Sequence, residues 1–138
     1  MGGGQRKVLV EGHKYPQMYG PSLSPNGKWV VFSAINPDGT VQEETNFLDW
    51  LLFRPKTAYA HEVPWELYMM PASGGEATKL TALSEDQPHP VWLNDGTITL
   101  LGLKGMYTLN IDGNGKLVGT STRVGDGVRH GTLTWRSP

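Results

Sequence analysis

The chain of 138 residues predicts an all-β fold of two four-stranded antiparallel units, and three observations carry that expectation. The stretch PSLSPNGKWVVFSA (21–34) returns in other residues as PVWLNDGTITLLG (90–102). Eighteen glycines and ten prolines are spread among short apolar runs, the punctuation of short strands and tight turns. All five tryptophans lie in or near those runs, where each can bury about 150–250 Å².

The repeat fixes the order of elements. Aligning Pro21 with Pro90 sets Asn26-Gly27 on Asp95-Gly96. Both dipeptides suit a hairpin turn whose two central residues take positive φ. Each turn leads into a strand, Trp29-Val30-Val31-Phe32 in one copy and Ile98-Thr99-Leu100-Leu101 in the other. The first is apolar throughout, which predicts cover on both faces. Further on, WELYMMPASGGEATKLT (65–81) matches KGMYTLNIDGNGKLVGT (104–120), with Tyr68 on Tyr107 and Gly74 on Gly113. Each reads as strand, glycine turn, strand. The second copy spans 43 residues from Pro90 to Leu133. Four antiparallel strands with a glycine signature at that period are the mark of a β-propeller blade.

Both ends fit the same scheme. GGGQRKVLVEG (2–12) resembles SGGEATKLTAL (73–83), and GTLTWRSP (131–138) resembles the start of a blade, with Trp135 on Trp92. The expected layout over 1–138 is one partial propeller domain. The last strand of a preceding blade is expected at 2–12, a blade at 20–83 with an insertion at 36–64, a second blade at 88–124, and the inner strand of a following blade at 130–138. Two blades do not close a ring, which takes about four to eight. Unpaired faces and edges recruit partners, so a homo-oligomer built through blade faces and edge strands is expected, or union with the missing remainder of a propeller.

With SPNGKWVVFS, LYMMPASGGEATKLT and PVWLNDGT laid out, the chain resembles the TolB-like (WD40-like) family of β-propeller repeats. The family pattern is an inner strand ending W-S-P-D-G-K, an apolar second strand, a third strand of the type I-Y-V-M-D, and a G-G turn into R-R-L-T. The likeness covers nearly all of the chain except 36–64. Leu23 stands where the inner-strand Trp is usual, Asn94 replaces the Pro, and Pro71 replaces the Asp. The resemblance implies the C-terminal part of a larger propeller, or a short relative, working in periplasmic or other extracytoplasmic protein contacts in bacteria. The start, MGGGQRKVLVEG, does not read as a signal peptide, because no apolar stretch follows its basic pair.

The first blade runs 69 residues from Pro21 to Pro90, and the surplus over the second lies at 36–64. Pro37-Asp38-Gly39 is a turn signal. TNFLDWLLFRP either starts a short helix capped by Thr45 or Asn46, with Phe47, Trp50, Leu51 and Arg54 on one face and Pro55 as its stop, or adds a strand. Phe47, Trp50, Leu51, Phe53 and Trp65 are the candidates for capping an exposed blade face or binding a partner. Exchanging Trp50 and Leu51 for Ser separates the two: lost folding marks a cap, and lost association with folding retained marks an interface.

Motifs for chemistry are sparse. HEVPW (61–65) misses the H-E-x-x-H zinc pattern, since Trp65 takes the second histidine's place and Pro64 breaks the helix it needs. NIDGNGKL (110–117) imitates the front of an EF-hand loop, yet Ser121 stands where the bidentate Glu belongs, so a plain hairpin turn is expected. His89 and His130 each precede an inner strand, beside Asp86, and surface loop histidines explain them most simply. No metal, cofactor or catalytic residue is assigned. A net charge of −1 and a pI near 6.4 give no footprint for nucleic acid. No apolar run is long enough to insert in a bilayer. The function expected is a non-catalytic propeller module for protein–protein interaction or self-assembly. The alternatives are the propeller part of a prolyl-oligopeptidase-like serine hydrolase whose catalytic domain is absent, and a sugar-binding propeller using exposed aromatics such as Trp65.

Overall fold

Runs of β-branched and aromatic residues bounded by Gly, Pro and Asn form the strands of this protein. The computed structural model describes residues 6–36, 65–82, 85, 87–102 and 105–126. Eight strands lie among them: β1 (Met18–Leu23), β2 (Trp29–Ile35), β3 (Trp65–Pro71), β4 (Thr78–Lys79), β5 (His89–Asn94), β6 (Thr97–Gly102), β7 (Gly105–Ile111) and β8 (Leu117–Asp126). They make two four-stranded antiparallel sheets, ordered β1-β2-β3-β4 and β5-β6-β7-β8, with no helix among the described residues. Among the described residues the sheets are not closed into a ring. The strand expected at 130–138 and, apart from Asn36, the insertion lie outside the described residues.

Side chains alternate along a strand, so the ladder register sorts each sheet into two faces. In the first sheet Val30, Phe32 and Ala34 stand opposite Met70, Tyr68 and Glu66 on one face. Val31, Ser33 and Ile35 stand opposite Met69, Leu67 and Trp65 on the other. In the second sheet Trp92, Ile98 and Leu100 share a face with Leu109 and Tyr107, while Val91, Thr99 and Leu101 share the other with Thr108 and Met106. Tyr68 is flanked by Phe32 and Lys79, and Tyr107 by Leu100 and Arg123. The two tyrosines therefore hold the same place in their sheets, and both are buried. We term the tyrosine face of each sheet its front and the opposite face its back.

The main core lies between the sheets. Val31, Leu67 and Met69, with Trp29 beside them, come from the back of the first sheet. Trp92, Ile98, Leu100, Tyr107 and Leu109 come from the front of the second. Back meets front, which is the sense in which repeats stack on their successors. At about 25 cal/mol per Å² of apolar surface removed from water, this seam is the largest hydrophobic contribution in the described chain.

The front of the first sheet is covered differently. Leu9, Val10 and Tyr15 pack on Phe32, Ala34, Tyr68 and Met70. Tyr15 meets Phe32 edge-on at 5.7 Å between ring centroids and lies 4.9 Å from Tyr68. Residues 6–12, the described part of the outer strand expected at 2–12, make no strand pairing among the described residues. Leu9 and Val10, neighbours in the run Val8-Leu9-Val10, pack on a sheet face, while Val8 is exposed.

The turns also depart from expectation. Gly27 has φ 70°, but neither Asn26 nor Asp95 has positive φ, so the mirror-image two-residue turn is absent from both hairpins. Side chains tie these turns instead: Asn26 Oδ1 accepts from Lys28 N–H at 3.0 Å, and Asn94 Oδ1 accepts from Gly96 N–H at 2.8 Å. Leu23 pairs with Val30 and Trp92 with Ile98, which leaves one residue more in the first hairpin. That residue shifts the match of the second strands. Val30, not Trp29, corresponds to Ile98.

Candidate binding surface

Trp65 opens β3 with Ile35 opposite it on one side and an isolated bridge to Glu85 on the other. It is 1% exposed. The expectation of a surface aromatic available to a sugar is corrected: flanked on both sides, the indole is part of the interior. Phe47, Trp50, Leu51 and Phe53 lie outside the described residues.

Glu85, which no sequence pattern singles out, connects the two sheets. Its carbonyl accepts the Trp65 N–H at 3.0 Å, and its carboxylate accepts a hydrogen bond from the Tyr107 hydroxyl. Gly102 makes the room, since a Cβ there would lie 2.5 Å from Glu85 Cδ. Burial raises the Tyr107 pKa first, then the Glu85 bond and charge, against a lowering by Arg123. A second buried carboxylate, Glu66, accepts from Thr81 Oγ1 at 2.8 Å and lies 3.8 Å from Lys79 Nζ. Thr81 Oγ1 in turn accepts the Leu67 N–H at 3.0 Å, which fixes the chain beyond β4 to β3.

Directional contacts set the register between the sheets. Trp92 Nε1 donates to the Ser22 carbonyl at 3.2 Å, and the Ser33 hydroxyl donates to the Pro88 carbonyl. The Asn26 N–H donates to Asp95 Oδ1 at 2.8 Å, so the two corresponding hairpin turns are bonded to each other. Trp29 lies over the β7–β8 turn, where a Cβ on Gly115 would come within 2.8 Å of the indole. Gly115 also has φ +76°, a conformation that L side chains rarely adopt.

The residues that looked suited to ion binding have other work. Asp112 Oδ1 accepts the backbone N–H groups of Asn114 at 2.9 Å and Lys116 at 2.8 Å. The bond from Lys116 is the main reason its carboxyl lies below the ordinary value of 3.8. His89 packs edge-on against Tyr19 at 5.6 Å, while His61, His130 and Asp86 lie outside the described residues. Among the described residues no three His, Asp or Glu side chains are grouped to hold a metal ion.

What remains is apolar surface on edge strands. Met18, Tyr19 and Leu23 of β1 are 40%, 47% and 58% exposed, and Val118 and Val124 of β8 are 53% and 49% exposed. The back of the second sheet is half-buried at Val91, Leu101, Met106 and Thr108. Sequence reasoning pointed to faces and edges in general but not to these residues; the alternation of Thr with Ile and Leu in β6 was the available signal.

Fold and surface together define a stacked pair of equivalent four-stranded sheets with apolar edges. No family model matches the chain, and neither a curated protein nor a solved structure matches it. The TolB-like resemblance thus rests on the motifs alone.

Proposed function

We propose that this protein is a non-catalytic β-propeller-type repeat module that acts through protein–protein contact, including contact with further copies of itself. One observation carries the reading: the back of the first sheet seats the front of the second, with Tyr68 and Tyr107 in corresponding places. Sheets that stack in the same sense have a front at one end of the array and a back at the other, so the interaction between them is heterologous and open to extension. Exposed apolar side chains on β1 and β8 add edges, terminal in their sheets among the described residues, of the kind that take up partner strands.

Sedimentation equilibrium over a wide concentration range tests this. The expected result is reversible growth above the 15.2 kDa of one chain. A mass fixed at one chain throughout contradicts self-association, and turnover of generic esterase or peptidase substrates by the purified chain contradicts the non-catalytic reading.

A further inference from the structure

The front of the first sheet carries Phe32, Tyr68 and Met70 where the front of the second carries Leu100, Tyr107 and Leu109. In the second sheet that surface is covered by a whole sheet, through Val31, Leu67 and Met69. In the first it is covered by a strap, residues 6–17, through Leu9, Val10 and Tyr15. The strap stands where a preceding sheet would stand. At the other end of the array, the back of the second sheet offers the positions that match Val31, Leu67 and Met69 of the first. They are Thr99, Met106 and Thr108, by the register that sets Tyr107 on Tyr68; Thr99 is buried, and Met106 and Thr108, half-buried, present the accessible part of that face.

The strap is lightly held. Its side chains from Glu11 to Lys14 and its Pro16 are exposed, and Tyr15, at 4% exposure, is its one buried side chain. Among the described residues its polar ties to the rest of the chain are few: Lys7 Nζ donates to the Ser73 carbonyl, and the Ile35 N–H donates to the Gln17 carbonyl at 3.1 Å. The surface beneath it is by contrast a cluster of Phe32, Tyr68 and Met70 with Ala34 and Val30, apolar side chains like those that receive a sheet at the internal seam.

We infer that residues 6–17 are a displaceable strap that competes with a second copy of this chain for the front of the first sheet, the second copy docking through the back of its own second sheet. The occupant follows from the fold's own internal seam, where a back of this repeat already sits on a front. The inference rests on the repeat-module reading above. It adds that association is gated by the strap, and that each contact uses one front and one back.

The test uses the full chain and four samples under sedimentation equilibrium, with near-ultraviolet circular dichroism to follow packing. Tyr15→Ser removes the strap's buried ring and is expected to tighten self-association about tenfold or more relative to wild type. Thr108→Arg places a charge on the docking back and is expected to abolish association, alone and combined with Tyr15→Ser. Mixing wild type with an excess of the double variant is expected to shift wild type from extended assemblies toward one-to-one complexes, because the double variant supplies only an open front, which outcompetes the strapped wild-type front for each wild-type back. Three results overturn the inference: a Tyr15→Ser chain that folds and associates no better than wild type, a Tyr15→Ser chain that loses cooperative unfolding, or association indifferent to Thr108→Arg. Wild-type association that ignores both substitutions removes the strap and leaves the module reading standing. A wild type and a folded Tyr15→Ser that both stay single chains remove the two together.

Discussion

The two sheets share a plan and differ in what covers them. In the first, β3 reads Trp-Glu-Leu-Tyr-Met-Met and every one of these residues is buried, as are Val31 to Ile35 of β2. It has the strap on its front and the second sheet on its back. In the second, β7 alternates buried positions with half-buried Met106 and Thr108 and exposed Asn110, and the back of the sheet carries Thr99 and Thr108 opposite each other. A strand covered on both faces is written as a continuous apolar run, and one covered fully on a single face is written as an alternation. The contrast teaches that position in the array, and not membership of the repeat, sets each strand's composition. Tyrosine stays at the corresponding site in both because both fronts are buried.

The first way to break this contrast is to truncate neighbours that face opposite ways. Leu100→Ala removes a side chain fully buried at the seam, and a loss of about 2–5 kcal/mol is expected in denaturant unfolding. Leu101→Ala, half-buried on the back, is expected to cost about 1 kcal/mol. Equal losses would mean that the back is as thoroughly covered as the front.

Glycine turns sharpen the comparison. Gly115→Ala combines left-handed backbone strain with a collision against Trp29, for about 2–4 kcal/mol in all. Gly27 has a similar φ of +70° and nothing within 4 Å of its absent Cβ, so Gly27→Ala is expected to show the strain alone, about 1–2 kcal/mol. The difference between the two losses reads the Trp29 contact. A smaller effect, about 1–3 kcal/mol, is expected for Thr81→Ala, which leaves Glu66 without that donor and the Leu67 N–H without its acceptor.

Titration separates the sheets further. Tyr15 and Tyr107 both have pKa values raised above the ordinary 10.0, each chiefly by burial. The folded state holds their protons more tightly than the unfolded one. The stability tied to this is fully present below pH 10.0 and falls as pH rises through the folded values. Tyr107→Phe is expected to remove part of that alkaline slope, and Tyr15→Phe another part, in urea midpoints measured across the alkaline range. The smallest effect belongs to Asp112, whose lowered pKa contributes stability above 3.8 that is lost as pH falls through the folded value. Asp112→Ala is expected to flatten that acid limb.

Much of the fold was legible because it rests on local signals. The run Trp29–Phe32, the Tyr68 and Tyr107 motifs and the glycine turns each mark an element with the residues that build it. The one-residue shift between the copies was hidden, because Asn26-Gly27 and Asp95-Gly96 look alike while their loops differ in length. The destination of Leu9, Val10 and Tyr15 was hidden as well. A short apolar run such as Val8-Leu9-Val10 suits an edge or a face equally, and only long-range packing decides. Glu85 left no trace in the pattern, since its partner Tyr107 lies across the inter-sheet seam and the space it fills is made by a glycine. Trp65 was read as a surface aromatic because its cover, Ile35 and Glu85, comes from two separate segments.

Nuclear Overhauser spectroscopy on the Trp29 indole tests the stacking of back on front most directly, since that ring meets the Gly115 turn of the second sheet. The expected result is strong cross-peaks from the indole six-membered ring to a Gly115 α-proton carrying a large upfield ring-current shift. Cross-peaks from Trp29 only within its own sheet, with Gly115 at an ordinary shift, would contradict it.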